Sequence, residues 1–441
     1  MKRGLLFLLL VPALSLAGQG SGLTIDDAIA AGLAHSRTLR ASAARAAAAE
    51  ARAGEARTAS LPVVKGEASY RRLSEVDPFQ VQLPGSTKPL VISPVVLDNS
   101  TFRVSLQQPL FTGFRISNSI EGAERGAEAA GFDNTNDKAD MVLAITSAYW
   151  SLFQMREVER FAGENVTRLE RYLADARKLM EAGLLTRNDV LKIEVQLSNA
   201  RLGRIDAEND ARLAAMNLNT LLSRPVDMPV ELLSSPSASA SASDTRPATD
   251  SLTRSALGNR ADLQAWRTRV EASRAGVRAA QAGWWPQLAL SGSYMYARPN
   301  SRIFPVKDEF KGTWDVGVAL TMDLWNWGLT ARQTEAAEAT LRQQEYLAAQ
   351  MEDVVALEVN RATLQMDRAA QRADVAAIIL GQAEEQSRTT EQRFKTGLAT
   401  ATDLLDADVS LQQAKLTRSG ARVECEIARA RLTRALGAGM P

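Results

Sequence analysis

The stretch FKTGLATATDLLDADVSLQQAKL, residues 394–416, repeats a pattern that occurs 214 residues earlier as MEAGLLTRNDVLKIEVQLSNARL, residues 180–202. Nine of the 23 aligned positions are identical, and they include a glycine, a threonine and an aspartate at the same spacing. These three pairs are Gly183 and Gly397, Thr186 and Thr400, and Asp189 and Asp403. A turn that occurs twice at a fixed offset indicates an internal duplication of something larger.

In each copy the residue types are those of a helix end followed by a helix start. Gly183 suits the left-handed position just after a helix, where a residue with a side chain is strained. Thr186 and Asp189 have the spacing of an N-cap threonine and an acid three residues later, the pattern that opens a helix. We therefore predict that each copy forms the tip of a tight helical hairpin.

Proline placement predicts a very long helix before each tip. No proline lies between Pro109 and Pro225, or between Pro305 and Pro441, and helix interiors exclude proline. Within the first gap, apolar residues recur at spacings of three and four, as on one helical stripe: Met141, Ile145, Tyr149, Leu152, Met155 and Val158. A helix from about residue 117 to about residue 180 would be roughly 100 Å long, which predicts an elongated bundle.

Before each long helix the apolar period changes from helical to alternating, which is typical of β-strands with two different faces. The clearest strand is predicted over residues 316–324, where every second residue is apolar: Val316, Val318, Leu320, Met322 and Leu324. Its partner is predicted over residues 288–296, and the first half contributes strands near residues 102–107 and 63–72. The sequence thus predicts two strand hairpins and four strands.

The duplication covers most of the chain. Before the strands the halves match at an offset of 224, as in Pro62 and Pro286, whereas after the strands they match at 214. The first strand hairpin is therefore ten residues longer, and its extra length falls in DPFQVQLPGSTKPLVISP, residues 77–94. This proline-rich stretch predicts an exposed loop.

The predicted organisation begins with a secretory signal peptide at residues 1–17, because Lys2 and Arg3 precede an apolar run and a small-residue site. The first structural repeat is expected over residues 18–223, a Ser/Ala/Pro-rich linker over 224–249 and the second repeat over 250–441. Each repeat is expected to consist of a helix, two strands, a long helix, a tip and a final helix.

Charge and motifs argue against a nucleic-acid binder and against an enzyme. Without Lys2 and Arg3, 50 of the 52 basic residues remain against 51 acidic ones, whereas nucleic-acid-binding domains carry a clear basic excess. The only histidine, His35, and the only cysteine, Cys425, lie in no catalytic or metal-binding spacing. We expect no catalytic residue, no metal and no cofactor.

Taken in order, these motifs resemble those of the TolC-like outer-membrane efflux protein family of Gram-negative bacteria. The two tips carry GLxTxxD, and the strand-to-helix joins carry SLQQPLFTGFR, residues 105–115, and ALTMDLWNWGL, residues 319–329. The helix-to-strand joins carry SLPVV, residues 60–64, and WWPQL, residues 284–288. The resemblance extends over nearly the whole chain after the signal peptide.

The two halves differ from each other at the second strand-to-helix join. Asp323 stands where the first half has Pro109, and Gly328 aligns with Phe114 rather than with Gly113. These departures concern the local geometry of the join.

The resemblance implies a mainly α fold with a small β part. Duplicated long helical hairpins would form a periplasmic tunnel, and three chains with four strands each would form one 12-stranded outer-membrane β-barrel. The strand count supports an oligomer independently, because four strands cannot close a membrane barrel and about eight is the practical minimum.

The implied function is a passive outer-membrane exit duct of a tripartite efflux pump or a type I secretion system. The implied partners of this homotrimer are a periplasmic adaptor (membrane fusion) protein, an inner-membrane transporter and outer-membrane lipid. The implied location is the Gram-negative outer membrane, with a periplasmic extension.

One alternative is an exported periplasmic coiled-coil adaptor or structural protein without a barrel. It would explain the long helices and the signal peptide, but it would leave the apolar face of residues 316–324 uncovered. Extraction behaviour separates the two, because a coiled-coil spacer would be soluble without detergent.

The resemblance also implies a constriction of the tunnel near the tips, lined by Asp403 and Asp406 together with Asp189 and Lys192 of the first repeat. Asp403 fits a helix-capping role equally well, and that alternative stays open. Lys192 is a candidate partner for an acid of the neighbouring hairpin, and Asp408 is expected to face water. The residues expected to dock the adaptor are Gly183, Leu184, Thr186, Gly397, Leu398 and Thr400.

Overall fold

The computed structural model describes residues 22–87, 89–93, 95–236 and 248–437. The predicted signal peptide and part of the predicted linker lie outside the described residues. The described chain contains eight α-helices: α1 (Ile25–His35), α2 (Arg37–Thr58), α3 (Arg115–Glu181), α4 (Arg187–Leu221), α5 (Thr249–Asn259), α6 (Ala261–Gln281), α7 (Leu329–Lys395) and α8 (Ala401–Ala435). It contains six strands: β1 (Val63–Arg72), β2 (Phe79–Val81), β3 (Leu90–Ser93), β4 (Asp98–Phe111), β5 (Gln287–Arg298) and β6 (Lys311–Thr321).

The long helices confirm the duplication. Helices α3 and α7 have 67 residues each, and the helices that follow the tips, α4 and α8, have 35 residues each. Every end of the first pair recurs 214 residues later as an end of the second pair. Because no proline interrupts these spans, the backbone hydrogen-bond ladder runs unbroken to the tip in both copies.

The four long strands form one antiparallel sheet in the order β1-β4-β5-β6, so its central pair joins the two halves of the sequence. The prediction for the end of β6 was wrong, because the strand stops at Thr321 and Met322 and Leu324 lie beyond it. Thr321 pairs with Gln287, the first residue of β5. The preceding Pro286 has no N–H with which to continue the ladder.

The proline-rich stretch at residues 77–94 was predicted to be a loop, and this prediction was also wrong in part. It contains a second, two-stranded sheet in which β2 pairs with β3. Phe79 and Val81 on one side and Val91 on the other are residue types that favour strands. They flank a Pro-Gly turn at residues 84–85, which lets the chain fold back on itself.

The register of the larger sheet separates an apolar face from a polar one. Leu290 lies opposite Val318, and Leu288 lies opposite Leu320. Val318 and Leu320 remain 62% and 69% exposed, although burying such a side chain gains about 1.5–3 kcal/mol. The opposite face carries Lys65, Glu67, Arg103, Ser105, Ser291 and Asp315. The sheet is therefore built to meet an apolar medium on one side and water on the other.

The strand-to-helix joins explain why the two halves seemed to depart from each other there. In the first join Gly113 and Phe114 both have positive φ, 62° and 67°, and in the second Trp327 and Gly328 have 55° and 78°. The same two-residue left-handed turn thus occurs at the same offset. Each copy places glycine at one of the two positions and an aromatic residue at the other, in opposite order.

The chain divides into two compact units, each built from both halves of the sequence. The first unit comprises Met1–Arg37, Lys138–Ser251 and Val359–Pro441, and the second comprises Thr38–Asp137 and Leu252–Glu358. The second unit contains the sheet. The first contains both tips, which lie over a buried apolar cluster that includes Leu169, Ile193, Leu197, Phe394 and Leu404. Among the described helices, none combines the length and apolar character needed to cross a membrane.

Candidate functional site

Both tips end their long helix with the same pattern of backbone hydrogen bonds. Gly183 has φ 74° and Gly397 has φ 75°, which is the left-handed conformation that glycine adopts without strain. The amide of Gly183 donates to the Met180 carbonyl at 2.9 Å, and the amide of Leu184 donates to the Leu179 carbonyl at 2.9 Å. This pair of bonds is the Schellman motif, which satisfies carbonyls that a helix end would leave free.

The second tip repeats the motif within 0.1 Å, because the corresponding N–O distances are 3.0 Å for Gly397 to Phe394 and 2.8 Å for Leu398 to Arg393. The leucine after each glycine points outward, and Leu184 and Leu398 are 63% and 70% exposed. Each tip therefore presents one large apolar side chain on a rigid turn.

The next helix of each tip starts with a reciprocal cap, as predicted. The amide of Asp403 donates to the Thr400 hydroxyl at 3.1 Å, and the amide of Thr400 donates to the Asp403 carboxylate at 2.9 Å. The equivalent distances for Asp189 and Thr186 are 3.3 and 3.1 Å. These bonds satisfy backbone donors that would otherwise be unpaired at the helix start.

The caps also fix the ionisation of both aspartates. Hydrogen bonds from the backbone and side chain of Thr400 lower the pKa of the Asp403 carboxyl, and nearby Arg393 acts in the same direction. Hydrogen bonds from Thr186 likewise lower the pKa of Asp189. Since a bonded carboxylate resists protonation, both acids are charged at neutral pH.

The four residues predicted to line a constriction occupy the first turns after the two caps. Asp403 and Asp406 are exposed on α8, and the Asp406 carboxylate forms no ion pair with the described residues. Lys192, on α4, donates to the Thr402 hydroxyl of α8 at 3.3 Å and lies 4.0 Å from Asp189 of its own helix. Within the chain, Lys192 therefore contacts the second hairpin through the Thr402 hydroxyl.

The expectation that Asp408 faces water was wrong. Asp408 is only 2% exposed, and it accepts a hydrogen bond from the guanidinium of Arg168, which is 8% exposed, on α3. Burial raises the pKa of the Asp408 carboxyl, against the opposing effect of Arg168 and Lys415.

A signal for this burial was present in the sequence. Asp408 lies four residues after Leu404 and three before Leu411, and both leucines are buried. This is the spacing of a buried apolar stripe on a helix, and it indicates that Asp408 is buried. A buried carboxylate requires a basic partner. No sequence pattern, however, indicates that the partner is Arg168, 240 residues away.

No cluster of histidine, cysteine or acidic side chains that could hold a metal ion occurs within the described ranges. The arrangement at the tips is suited to docking and to electrostatic selection of ions.

Comparisons with known proteins agree over nearly the whole chain. A family model described as "Outer membrane efflux protein" matches residues 28–224 and 252–438. The chain is 26% identical over 341 residues to the outer membrane efflux protein BepC of Brucella suis, covering 76% of this chain and 72% of that protein. It is 24% identical over 322 residues to the outer membrane protein TolC of Vibrio cholerae, covering 72% of each.

A solved structure shows the same fold. The outer membrane protein VceC of Vibrio cholerae superimposes with a TM-score of 0.79 at 20% sequence identity. The match covers 94% of this chain and 96% of that one.

Proposed function

The chain belongs to the outer membrane efflux protein family, and from that premise we propose that three copies form one exit duct whose tips receive a periplasmic adaptor. Members of the family are channels, and this chain is an outer-membrane exit duct of an efflux system, with helices that extend into the periplasm. The proposal adds the stoichiometry, the docking surface and the constriction.

The sheet supports assembly of several copies. Strands β1 and β6 are its two edges, and all its pairings are antiparallel. Because the sheet has an even number of strands, β6 of one copy and β1 of the next have opposite directions and can continue the antiparallel pattern. Closing the ring removes the free edges, which lipid does not tolerate, and turns the apolar face of every copy outward. Three copies give 12 strands and room for a lumen.

The observation that carries the docking proposal is the matching backbone geometry of the two tips. Each holds an exposed leucine on a turn that is fixed by two backbone hydrogen bonds. Exposed apolar groups on rigid backbone favour binding, because little conformational entropy is lost when a partner covers them. We assign the adaptor-docking surface to Gly183, Leu184 and Thr186 together with Gly397, Leu398 and Thr400. The transporter of the inner membrane then engages through that adaptor, in a tripartite pump or a type I system.

The constriction is assigned to Asp403 and Asp406, with Asp189 and Lys192 beside them. In a trimer, one pair of acids per chain places six carboxylates near the axis. A ring of acids attracts cations, repels anions and binds multivalent cations. The Asp403 carboxylate serves the cap through one oxygen, which leaves its charge in place for this second role.

The docking surface is tested by changing the two exposed leucines to serine. Leu184→Ser with Leu398→Ser should weaken binding of the purified cognate adaptor about tenfold or more, since two apolar contacts are lost. Leu202→Ser is the control, because Leu202 is 62% exposed on α4 but lies away from the tips. Native mass spectrometry in detergent should give a trimer for all three proteins. Unchanged adaptor affinity in the double variant would refute docking at the leucines, and a monomer would refute the assembly.

A further inference from the structure

A cleft between helices α3, α7 and α8 has both charged and apolar walls. Its volume is about 370 Å³, which lies in the range of small-molecule binding sites. Phe153 and Phe161 of α3 and Leu380 of α7 form its apolar part. Ser419 and Arg422, both on α8, line it as well.

The α8 wall of the cleft contains two buried hydrogen-bond donors without an acceptor. Ser419 is 8% exposed, and its hydroxyl has no hydrogen-bond partner among the described residues. The Nε–H of Arg422 is likewise buried and unpaired. The two residues are three positions apart, so they lie on the same face of the helix. Buried polar groups are almost always hydrogen-bonded, and two unpaired donors side by side therefore indicate a position for an acceptor from outside the chain.

Most of the charges contributed to the cleft compensate one another. Arg160 pairs with Glu157 at 2.8 Å and with Glu164 at 2.6 Å, and Lys415 pairs with Glu164 at 3.0 Å. Two cations and two acids thus form one closed network. These four side chains add no net charge to the cleft.

The two arginines of α8 are the exception. Arg418 donates to the Ala373 carbonyl of α7 at 2.9 Å, and the Nη2 of Arg422 donates to the Pro236 carbonyl. Both acceptors are neutral, and neither guanidinium forms an ion pair within the part of the chain that the structure describes. The remaining acid of the cleft, Glu384, lies 11 residues from Ala373 on α7, about 16 Å along the helix axis. The positive charge of the two arginines is therefore uncompensated.

Helix α3 supplies an aromatic wall at the level of the two donors. A Cβ on Gly420 would lie 3.4 Å from the Gln154 side chain, so the segment of α3 around residue 154 packs beside the segment of α8 that carries the donors. Phe153 is half-buried, and its ring makes an edge contact with Trp150 at a centroid distance of 5.9 Å. The cleft thus combines hydrogen-bond donors, positive charge and an aromatic ring.

We propose that this cleft binds a small organic acid, with the carboxylate on Ser419 and Arg422 and the apolar group against Phe153. A carboxylate accepts from two donors at once, and its hydrogen bonds to a guanidinium are charge-assisted. The apolar wall favours an acid with an aromatic or aliphatic group over an inorganic anion, which would leave that wall in contact with water. The proposal does not rest on the proposed function, because Arg422 lies 16 residues beyond Asp406 on α8, about 24 Å along the axis.

The experiment is calorimetric titration of the purified full-length protein in detergent with 3-phenylpropionate as the probe, after subtraction of a titration into detergent alone. We expect saturable binding of one molecule per chain. The neutral analogue 3-phenylpropanamide and inorganic phosphate should each bind about tenfold more weakly or worse, because the first lacks the charge and the second lacks the apolar group. An absence of saturable binding, or an analogue that binds as tightly as the acid, would overturn the proposal.

Ser419→Ala separates binding from a structural role. The change removes a hydroxyl that has no partner, so the unfolding midpoint of the free protein should be unchanged or higher, whereas affinity for the acid should fall about tenfold. Ser410→Ala is the matched control, because Ser410 is exposed on the same helix and donates to the Asp406 carbonyl at 2.8 Å. Its affinity should equal that of the wild type.

Arg422→Lys tests the second donor, because lysine keeps the charge but lacks the planar fork of the guanidinium. Affinity for the acid should again fall about tenfold. Wild-type affinity in both Ser419→Ala and Arg422→Lys would overturn the proposal, and Ser419→Ala decides alone if Arg422→Lys fails to fold. Since neither adaptor nor conductance enters the measurement, the result is independent of the docking surface and of the constriction.

Discussion

The two tips have the same backbone and different side chains beyond it. In both, a left-handed glycine ends the long helix and a threonine and an aspartate cap the next one, with matching hydrogen-bond distances. Beyond the cap, α4 continues with Lys192 and a half-buried Glu194, whereas α8 continues with Asp406 and a buried Asp408. The turn has the same geometry in both copies, and the hairpins differ in the charges that follow it.

The largest effect should come from breaking the common turn. Gly183→Val and Gly397→Val each force a β-branched residue into the left-handed region, at a cost of roughly 1–2 kcal/mol or more. No neighbouring atom lies within 4 Å of the added Cβ at either site, so the cost is purely conformational and should be similar at both tips. Export of a fluorescent efflux substrate should fall, while insertion into the outer membrane persists.

Gly203→Val is the matched control for these variants. Gly203 also has open space where a Cβ would lie, but it is inside α4 and has no positive φ, and valine has a higher helix propensity than glycine. Its export should equal that of the wild type. Loss of membrane insertion in Gly183→Val or Gly397→Val would assign the tip glycines to folding rather than to docking.

A second prediction sharpens the contrast between the buried and the half-buried acid. Burial raises the pKa of the Asp408 carboxyl in the folded chain, and in Arg168→Met the opposing effect of the guanidinium is lost. A higher pKa in the folded than in the unfolded state means that proton binding favours the folded state. The thermal unfolding midpoint of Arg168→Met, measured relative to that of the wild type, should therefore rise as the pH is lowered from neutral through the raised pKa.

The other groups near Asp408 do not reverse this sign. Lys415 acts on Asp408 from the same helix and pairs with Glu164. On α7, Glu391 acts on neighbouring Tyr172 and pairs with Lys395 at 2.7 Å. Arg177→Met, which leaves the partly exposed Glu194 without its partner, should show no such rise. A relative unfolding midpoint of Arg168→Met that falls in acid would contradict the buried placement of Asp408.

The smallest predicted effect is a loss of local helix stability at the two caps, and it should be equal at both. Thr186→Ala and Thr400→Ala each remove one side-chain acceptor at a helix start, at a cost of about 1 kcal/mol. Because the two caps have matching geometry, hydrogen exchange should show a similar loss of protection in the first turns of α4 and α8. A much larger loss at one tip would mean that the caps are not equivalent. Thr186→Ser and Thr400→Ser should restore protection.

Local rules predicted the turns and the long helices because glycine, proline and capping residues act within a few positions. Strand pairing was harder to delimit, since the end of β6 at Thr321 depends on where β5 begins. The partner of Asp408 could not be predicted, because its choice depends on the packing of two helices far apart in sequence. The alternating pattern did predict an apolar face, and the register confirms it for Val316, Val318 and Leu320.

The claim that the two hairpins differ in role is tested most directly by ion selectivity. Reversal potentials in planar bilayers should be recorded for the wild type, for Asp403→Ala with Asp406→Ala, and for the first-repeat counterpart Asp189→Ala with Lys192→Ala, before and after a trivalent cation is added from the tip side. We predict that the wild type prefers cations and is blocked, that the second-hairpin variant loses both properties, and that the first-hairpin variant keeps both. Unchanged selectivity and block in the Asp403→Ala, Asp406→Ala protein would contradict the constriction and leave Asp403 as a helix cap alone.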